Sequence, residues 1–455
     1  METVITIDFY SLNFGNRIHS SYIQGDSGAV EKNQIDKDFA ANSKFNHTDI
    51  KAMIGLSKKW GVSKLTFSML QQQLGVIELE NKDSIPKDGS FTKDQREYEL
   101  EAPYLDVNSK ILSWQNSIIL GSGSLQANFS MQNSKRIEYE PGTTAGTKED
   151  RIDLNLNTHT YDIHYITDPS KKAGITAGVQ GMMQQSKNEG EFAIVPNSST
   201  TDAGVYVVGR YDLKKITFLG GGRFDQRSLA LSSFITPAHD TLFSKNDLTY
   251  RAPSYALGTV WKVSNDFFLR LNGAGGFTPP NAYQLADNGR KEGGYLYEKG
   301  DSSLKASVNR QLDLGVSYDR PSIGFTASVY NNIVSNFIYL NPTGTSIVSG
   351  SETLSYYKYL QGNAILNGAE FGFDLHPKSI AWVDLAVNYG MVRGTLSGDK
   401  GNLPLQPADK ITAALTFQKA QMQNLYNPFV RIAVSNYAAQ NRVAESETTT
   451  SGYTL

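Results

Sequence analysis

Cysteine is absent from the 455 residues, which excludes a disulfide framework, a cysteine-ligated metal and a thiol nucleophile. Long apolar runs are absent as well: no stretch reaches the roughly 18 apolar residues that a membrane-spanning helix needs. The net charge of −2 gives no electrostatic basis for a nucleic-acid partner. The longest basic clusters are pairs such as Lys58-Lys59 and Lys171-Lys172, which we interpret as solvated turns.

Proline is scarce, with 15 residues, whereas glycine, tyrosine and phenylalanine are plentiful at 40, 24 and 21 residues. This combination is typical of a β-rich protein. The chain is also longer than one ordinary soluble core, which rarely grows beyond about 250–300 residues. A large β-barrel is the exception, because it stays one domain as strands are added.

Period-two alternation of apolar and polar residues recurs along the chain. It is clear in Gln311–Tyr318 and Leu125–Gln132, and it returns at 383–389 and 411–418. Since successive side chains of a strand point to opposite sides, each segment has one apolar and one polar face. A soluble antiparallel sheet would show the same alternation, so a single strand does not distinguish a soluble sheet from a membrane barrel.

The connections between these segments alternate strictly between short and long. This arrangement favours an outer-membrane barrel, in which short turns lie at one end and long loops at the other. The short connections lie at 59–61, 121–123, 168–170, 213–214, 263–266 and 319–321, and the long ones at about 76–108, 134–151, 186–203, 227–250, 277–307, 340–364 and 393–407. We predict an all-β fold, a large antiparallel transmembrane β-barrel with roughly 17–19 strands of about ten residues.

The two ends of the sequence predict that the barrel is incomplete. The segment 1–8 alternates like a strand and has neither the basic start nor the apolar run of a signal peptide. The last segment, 448–455, stops in mid-strand. We therefore expect residues 1–455 to form one partial barrel domain taken from a larger protein.

The strongest local motif lies between 275 and 307. It contains Gly276-Phe277-Thr278-Pro279-Pro280-Asn281 and then Gly300-Asp301-Ser302-Ser303-Leu304, just before a new strand. The pair resembles the two boxes of TonB-dependent receptors, Phe-Arg-Ala-Pro-Asn and Asn-Pro-Asn-Leu, although Thr278 replaces the arginine and the second box is loose.

Three further places are similar to the same family. They are Gly221-Gly222-Arg223-Phe224-Asp225, Ser335-Asn336-Phe337-Ile338, and the late strand pair around Tyr437–Val443 and 450–455. The resemblance covers about 48–455. It implies about 22 strands around an N-terminal plug, of which 17–19 would be present, and coupling to the TonB complex through a plug that this chain lacks.

Catalytic and metal sites have little support. His159 and His164 lie five residues apart, so on a strand they face opposite sides and do not share a metal. Carboxylates such as Asp313 and Glu370 could serve as an acid–base pair, but we favour the interpretation that they line a water-filled lumen. We predict no enzyme activity, no metal site and no cofactor.

Long loops carry the candidate ligand contacts. The residues proposed are Asn281, Gln284, Arg290, Lys291, Tyr295, Tyr297 and Tyr356. Amphipathic rings are common at binding surfaces, although a membrane-interface girdle of aromatics is the alternative. We expect the loops at 277–307 and 340–364 to lie outside the cell.

The function that the resemblance implies is energy-coupled uptake of a scarce ligand across the outer membrane. Its usual ligand class is the ferric siderophores, and a passive porin or an adhesin barrel is the alternative. Haem receptors of the family carry a histidine between the two boxes, whereas 281–304 contains none, and Arg290-Lys291 stands where it is expected. We therefore predict an anionic ferric chelate rather than haem, with outer-membrane lipid around the barrel.

Overall fold

A computed structural model provides the structure of the chain. It describes residues 2–14, 23–24, 30–31, 44–76, 100, 102–142, 148–168, 170–190, 196–235, 241–243, 245–290, 296–349, 352–398 and 401–455. By its contacts the chain divides into two compact units. Unit 1 is Met1–His164, Gln180–Asp202 and Ser228–Leu248, and unit 2 is Tyr165–Val179, Ala203–Arg227 and Thr249–Leu455.

The described residues are overwhelmingly in strands. Their bounds are β1 Glu2–Phe14, β2 Ile23–Gln24, β3 Val30–Glu31, β4 Phe45–Lys58, β5 Gly61–Gly75, β6 Tyr104–Leu120, β7 Gly123–Pro141, β8 Lys148–Ile166, β9 Ala173–Asn188, β10 Ser198–Asp212, β11 Ile216–Leu231, β12 Phe234–Ile235, β13 Thr241–Phe243, β14 Asn246–Lys262, β15 Phe267–Thr278, β16 Asn288–Arg290, β17 Leu296–Lys299, β18 Ser307–Arg320, β19 Ile323–Ser349, β20 Glu352–Leu375, β21 Val383–Leu396, β22 Lys410–Gln418, β23 Gln421–Met422, β24 Leu425–Tyr426, β25 Phe429–Tyr437 and β26 Tyr453–Thr454. One short helix, α1, spans Ala282–Ala286, and a 3-10 turn spans Lys378–Ile380. Neither is long and apolar enough to cross a membrane, and the described part of the chain has no other helix that is.

The main sheet has 20 strands, and nearly all of its pairings are antiparallel. In unit 1, β1, β4, β5, β6 and β7 pair in that order. In unit 2 the order is β14, β15, β18, β19, β20, β21, β22, β25 and β26. Without the short strands β16 and β17 the sheet has 18 strands, within the predicted 17–19.

The predicted strand lengths and several predicted loops were wrong. Strands β19 and β20 contain 27 and 24 residues rather than about ten. They run through the expected loop at 340–364 and leave only 350–351 between them. The expected connection at 134–151 likewise shrinks to 142–147. A hairpin that continues into water can be polar on both faces. The alternation of apolar and polar residues then disappears from the sequence, although the backbone pairing of the two strands continues.

The apolar rows share one face of the sheet, as predicted. Leu314 pairs with Leu271 on one side and with Val329 on the other, and all three side chains are at least half exposed. Their polar neighbours in sequence, such as Asp313, point to the opposite face. An exposed face of large apolar side chains is what lipid contact requires, and that contact itself remains a prediction.

Aromatic residues occupy this apolar face close to the short turns of unit 2. The register aligns Phe267, Tyr318, Phe325 and Phe373 across four neighbouring strands. The rings of Tyr318 and Phe325 stack with centroids 5.6 Å apart. A row of aromatics at the end of an apolar band is typical of the interface girdle of a membrane barrel.

Polar side chains mark the opposite end of the same face. Asn331 and Asn367 are register partners, and the Asn331 amide donates a 2.7 Å hydrogen bond to Asn367. Arg393 pairs with Asn367 in the next strand and binds Asp409 through its guanidinium. Exposed Leu312 shares this row and exposed Ile333 lies two residues beyond it. The β19–β20 hairpin continues past both residues to Ser349.

Candidate functional site

The segment between β15 and β18 is folded rather than an open loop. It begins with α1, whose N-terminus is closed by Asn281: the Asn281 side chain accepts a hydrogen bond from the Gln284 N–H at 2.8 Å. The Gln284 side chain accepts one in return from the Asn281 N–H at 3.1 Å. This capping box satisfies N–H groups that a helix start leaves open, and Leu285 anchors the helix by burial. The two candidate residues therefore have a structural role, and ligand contact by them stays a prediction.

A short ribbon then crosses to the β19–β20 hairpin. Strands β16 and β17 pair antiparallel, and β17 adds in parallel to β20. Leu296 lies opposite Ser355, and Lys299 lies opposite Lys358. This parallel pair joins two parts of the chain that are about sixty residues apart and departs from the antiparallel prediction. We call the assembly of the described residues in 279–306 and 335–363 the distal lobe.

Tyr297 and Tyr356 meet at the centre of this parallel pair. They are register partners, and their rings lie edge to face with centroids 5.9 Å apart. The Tyr297 hydroxyl donates to the Asn288 side-chain oxygen at 3.1 Å. Burial raises the pKa of Tyr297, so its hydroxyl stays protonated and remains a hydrogen-bond donor. The structure thus brings together these two of the candidate contacts.

Two lysines that were not among the candidates lie on the same face. Because alternate residues share a face, Tyr297 and Lys299 point together on β17, as do Tyr356 and Lys358 on β20. Both lysines are exposed, and the Lys358 ammonium lies 5.2 Å from the centroid of the Tyr356 ring, within cation–π range. The sequence signal for this face is a Tyr-x-Lys triplet that occurs at 297–299 and again at 356–358. We refer to these four residues as the Tyr-x-Lys face.

The other face of the ribbon is buried and acidic. Glu298 is 7% exposed and accepts a 2.6 Å hydrogen bond from the Tyr283 hydroxyl. The Tyr359 hydroxyl donates to the same carboxylate oxygen at 3.4 Å, and the Tyr283 and Tyr359 rings meet edge to face. Asp287 lies nearby and is 4% exposed; burial and the negative charge of Glu298 raise its pKa to about 8. By alternation along β17, Glu298 points away from the Tyr-x-Lys face.

A hydrogen-bonded node fastens the end of the segment to the hairpin. The Gln361 side chain accepts from the Lys305 N–H at 2.9 Å and donates to the Lys305 carbonyl at 2.6 Å. It also donates to the carbonyl of Asn336 at 3.1 Å. Asn336 has φ of 56°, and it forms with Ser335 a bulge in β19. One amide side chain from β20 therefore holds the residue that follows the loose second box, while the Gly300 and Asp301 N–H groups bind the carbonyls of Asp287 and Gln284 at 2.7 and 2.9 Å.

The remaining candidates are only partly placed. The backbone of Arg290 pairs with Tyr297, while Lys291 and Tyr295 lie outside the described residues. Within the described ranges no group of three or more histidine, aspartate or glutamate side chains could hold a metal. Three described histidines lie within hydrogen-bond distance of a carboxylate: His47 of Asp49 at 2.7 Å, His164 of Asp162 at 2.5 Å and His376 of Asp384 at 2.6 Å.

The matching family is described as "TonB dependent receptor-like, beta-barrel", and the match spans residues 8–455. The chain belongs to this family of TonB-dependent receptor β-barrels. The predicted fold class, a large antiparallel transmembrane β-barrel, is thereby confirmed. The match covers the barrel and no plug domain.

Solved structures of the same architecture are similar over the whole chain. The copper transporter OprC superposes with a TM-score of 0.71 at 13% identity, over 100% of this chain and 66% of its own. The FrpB iron transporter from Neisseria meningitidis (F5-1 variant) gives 0.68 at 14% identity, over 99% and 70%. The ferric yersiniabactin uptake receptor FyuA from Yersinia pestis gives 0.66 at 11% identity, over 99% and 66%. No curated protein matches. At these identities the likeness shows the fold alone, and the chain spans about two thirds of the length of each of these proteins.

Proposed function

We propose that the chain is the barrel of an outer-membrane receptor for TonB-dependent uptake, and that the ligand is an anionic ferric siderophore. Family membership supports the receptor class. The Tyr-x-Lys face of the distal lobe is the observation that supports the ligand class. The TonB complex would act through a plug domain, and the barrel would be surrounded by outer-membrane lipid. Binding and transport, rather than catalysis, are the activities proposed.

The chemistry of the Tyr-x-Lys face suits an anionic chelate with aromatic groups. Lys299 and Lys358 are register partners on neighbouring strands, so their ammonium groups can approach one anion from two sides. Tyr297 and Tyr356 offer ring faces and hydroxyl groups beside them. Glu298, the carboxylate of this ribbon, is buried on the opposite face and does not neutralise the lysines.

The position of this face also favours a binding role. By alternation along β20, Tyr356 and Lys358 point away from the face that carries exposed Phe371 and the lipid-facing rows. The lobe begins beyond the polar row of Asn331, Asn367 and Arg393. A ligand on this face would therefore meet water and protein rather than lipid.

The predicted exclusion of haem rests on the same segment. Residues 281–304 contain no histidine, so the lobe offers no neutral imidazole between the two boxes to ligate haem iron. Ammonium and guanidinium groups do not ligate ferric iron at neutral pH, but they attract the carboxylate or phenolate oxygens of a chelate. We expect Arg290 and Lys291 to add to this attraction.

Binding of a panel of ferric chelates and haem to the protein in outer-membrane vesicles tests the ligand class. The double variant Lys299→Gln, Lys358→Gln should weaken the best chelate at least tenfold, about 1.4 kcal/mol. The matched control, Lys51→Gln with Lys110→Gln, changes the same charge on exposed residues of unit 1 and should bind normally. Equal affinities of the two double variants would refute the proposed site, and tight haem binding would refute the ligand class.

Dependence on TonB separates the receptor from the passive alternatives. Uptake of the bound chelate should stop in cells without a functional TonB and resume when TonB is restored. A porin would admit solutes in both strains, and an adhesin would admit them in neither. Uptake that is unchanged without TonB would therefore contradict the receptor, whatever ligand it carries.

A further inference from the structure

Lysines are concentrated at the short turns of one sector of unit 2. The turns that follow β8, β10 and β14 lie side by side, because the Asp212 N–H donates to the Lys172 carbonyl and the Lys262 N–H donates to the Lys215 carbonyl, each at 2.7 Å. This edge carries five lysines, all of them exposed: Lys171, Lys172, Lys214, Lys215 and Lys262. We call them the lysine edge.

Two acids beside this edge have short-range partners other than its lysines. Asp212 is held by Arg210 at 3.0 Å and by the Thr217 hydroxyl at 2.7 Å. Asp168 accepts two hydrogen bonds from Ser170, at 2.9 Å from its N–H and 2.7 Å from its hydroxyl. Among the described residues, no ion pair involves any lysine of the edge.

The next turn along the sheet lacks this excess of charge. There Arg320 binds Asp266 at 2.8 Å, so that cation is neutralised by a neighbouring turn. The lysine edge is therefore distinct from this next turn, although Lys58 and Lys59 form a further exposed pair at the β4–β5 turn of unit 1.

Exposed aromatic and apolar side chains stand directly behind the lysines. Tyr211 and Trp261 each lie within one to three residues of the lysine edge, and each is nearly half exposed. Farther along the strands, Val207, Phe218 and Leu257 are exposed on the same strands. From the strands to the turns, the surface passes from apolar to aromatic to cationic.

We propose that the lysine edge binds the phosphate headgroups of anionic phospholipids in the leaflet at the short-turn end of the barrel. The order of the side chains matches the layers of a leaflet: acyl chains beside the apolar residues, the interface beside Tyr211 and Trp261, and phosphates beside the lysines. Lysines close to an anionic leaflet attract its phosphate headgroups electrostatically. The protein therefore collects anionic lipid around this sector, independently of the ligand that it transports.

Quenching of Trp261 fluorescence by a brominated lipid measures the lipid composition next to this edge. The chain has four tryptophans, so a background with Trp60→Phe, Trp114→Phe and Trp382→Phe leaves Trp261 as the reporter. The protein is reconstituted into phosphatidylcholine bilayers that contain brominated phosphatidylglycerol. We expect phosphatidylglycerol to be preferred about fivefold or more over phosphatidylcholine at low salt, which corresponds to about 1 kcal/mol.

Charge removal gives the decisive comparison. Changing all five lysines of the edge to glutamine should bring the preference to about one, and 0.5 M salt should do the same to the unaltered edge. A control with five other exposed lysines changed to glutamine has the same net charge and should keep the preference; it uses Lys51, Lys110, Lys187, Lys245 and Lys305.

Two results would overturn the proposal: no preference in the protein with its lysine edge intact, or an unchanged preference after the five substitutions. If the fivefold variant does not insert, the pair Lys214→Gln and Lys215→Gln should still lower the preference measurably. The salt dependence of the unaltered edge is a test that needs no charge variant, and a salt-independent preference would also count against phosphate binding.

Discussion

An arginine in place of Leu314 tests the orientation of the sheet in the membrane. Leu314 is half exposed on the apolar face and lies four residues from Tyr318 of the aromatic row. Four residues correspond to about 14 Å along a strand. With a strand tilt of about 35–45°, this puts Leu314 about 10 Å below the interface, close to the middle of an apolar band about 25 Å tall. We therefore expect Leu314→Arg to lower the free energy of unfolding by about 2–4 kcal/mol.

The assay is equilibrium unfolding of the protein in phospholipid vesicles, followed by heat-modifiable gel mobility and tryptophan fluorescence. Tyr318→Arg is the matched control, because the same side chain at the interface should cost only about 0–1 kcal/mol. Asp313→Asn, on the polar face of the same strand, should be close to neutral. The orientation would be refuted if Leu314→Arg cost no more than Tyr318→Arg, since depth would then have no effect.

Three further predictions concern packing and the distal lobe. A Cβ at Gly368 would overlap the Tyr330 ring on the neighbouring strand, so Gly368→Ala should destabilise the protein by about 1–3 kcal/mol in the same unfolding assay, whereas Gly390→Ala, with open space around it, should not. Gln361→Ala removes the hydrogen bonds that hold the end of the β15–β18 segment, so limited proteolysis should cut that segment faster, and an unchanged rate would contradict the role of the node. The pKa of Asp287 is raised to about 8 in the folded lobe, whereas an unfolded chain releases the same proton near pH 4. The lobe is therefore most stable below pH 4, where Asp287 is protonated in both states, and this stability is lost as the pH rises through 8. Proteolysis of the lobe should accordingly accelerate between pH 4 and pH 8 and level off above that, and Asp287→Asn should remove this pH dependence; equal profiles of the two proteins would contradict the role of Asp287.

The sequence by itself determined the class of fold and the faces of the strands. A strand has only two faces, so the alternation in Gln311–Tyr318 tells which side chains lie on the apolar face and which on the polar face. The spacing of the turns predicted neighbouring antiparallel pairs for the same reason, because a short turn permits no other pairing. Both kinds of information are local, and both were confirmed by the register of the sheet.

Only the tertiary structure decided what lies beyond the apolar band. In water the contrast between two faces of a strand disappears, so the sequence at 340–364 gave no sign of the hairpin that continues through it. The parallel pair of Tyr297 with Tyr356 joins residues about sixty positions apart, and no local pattern specifies such a register. The Tyr-x-Lys triplets were present in the sequence, but each one alone is an ordinary polar strand. They become one surface because backbone pairing places them side by side, and every residue other than proline offers the same backbone N–H and C=O groups for that pairing.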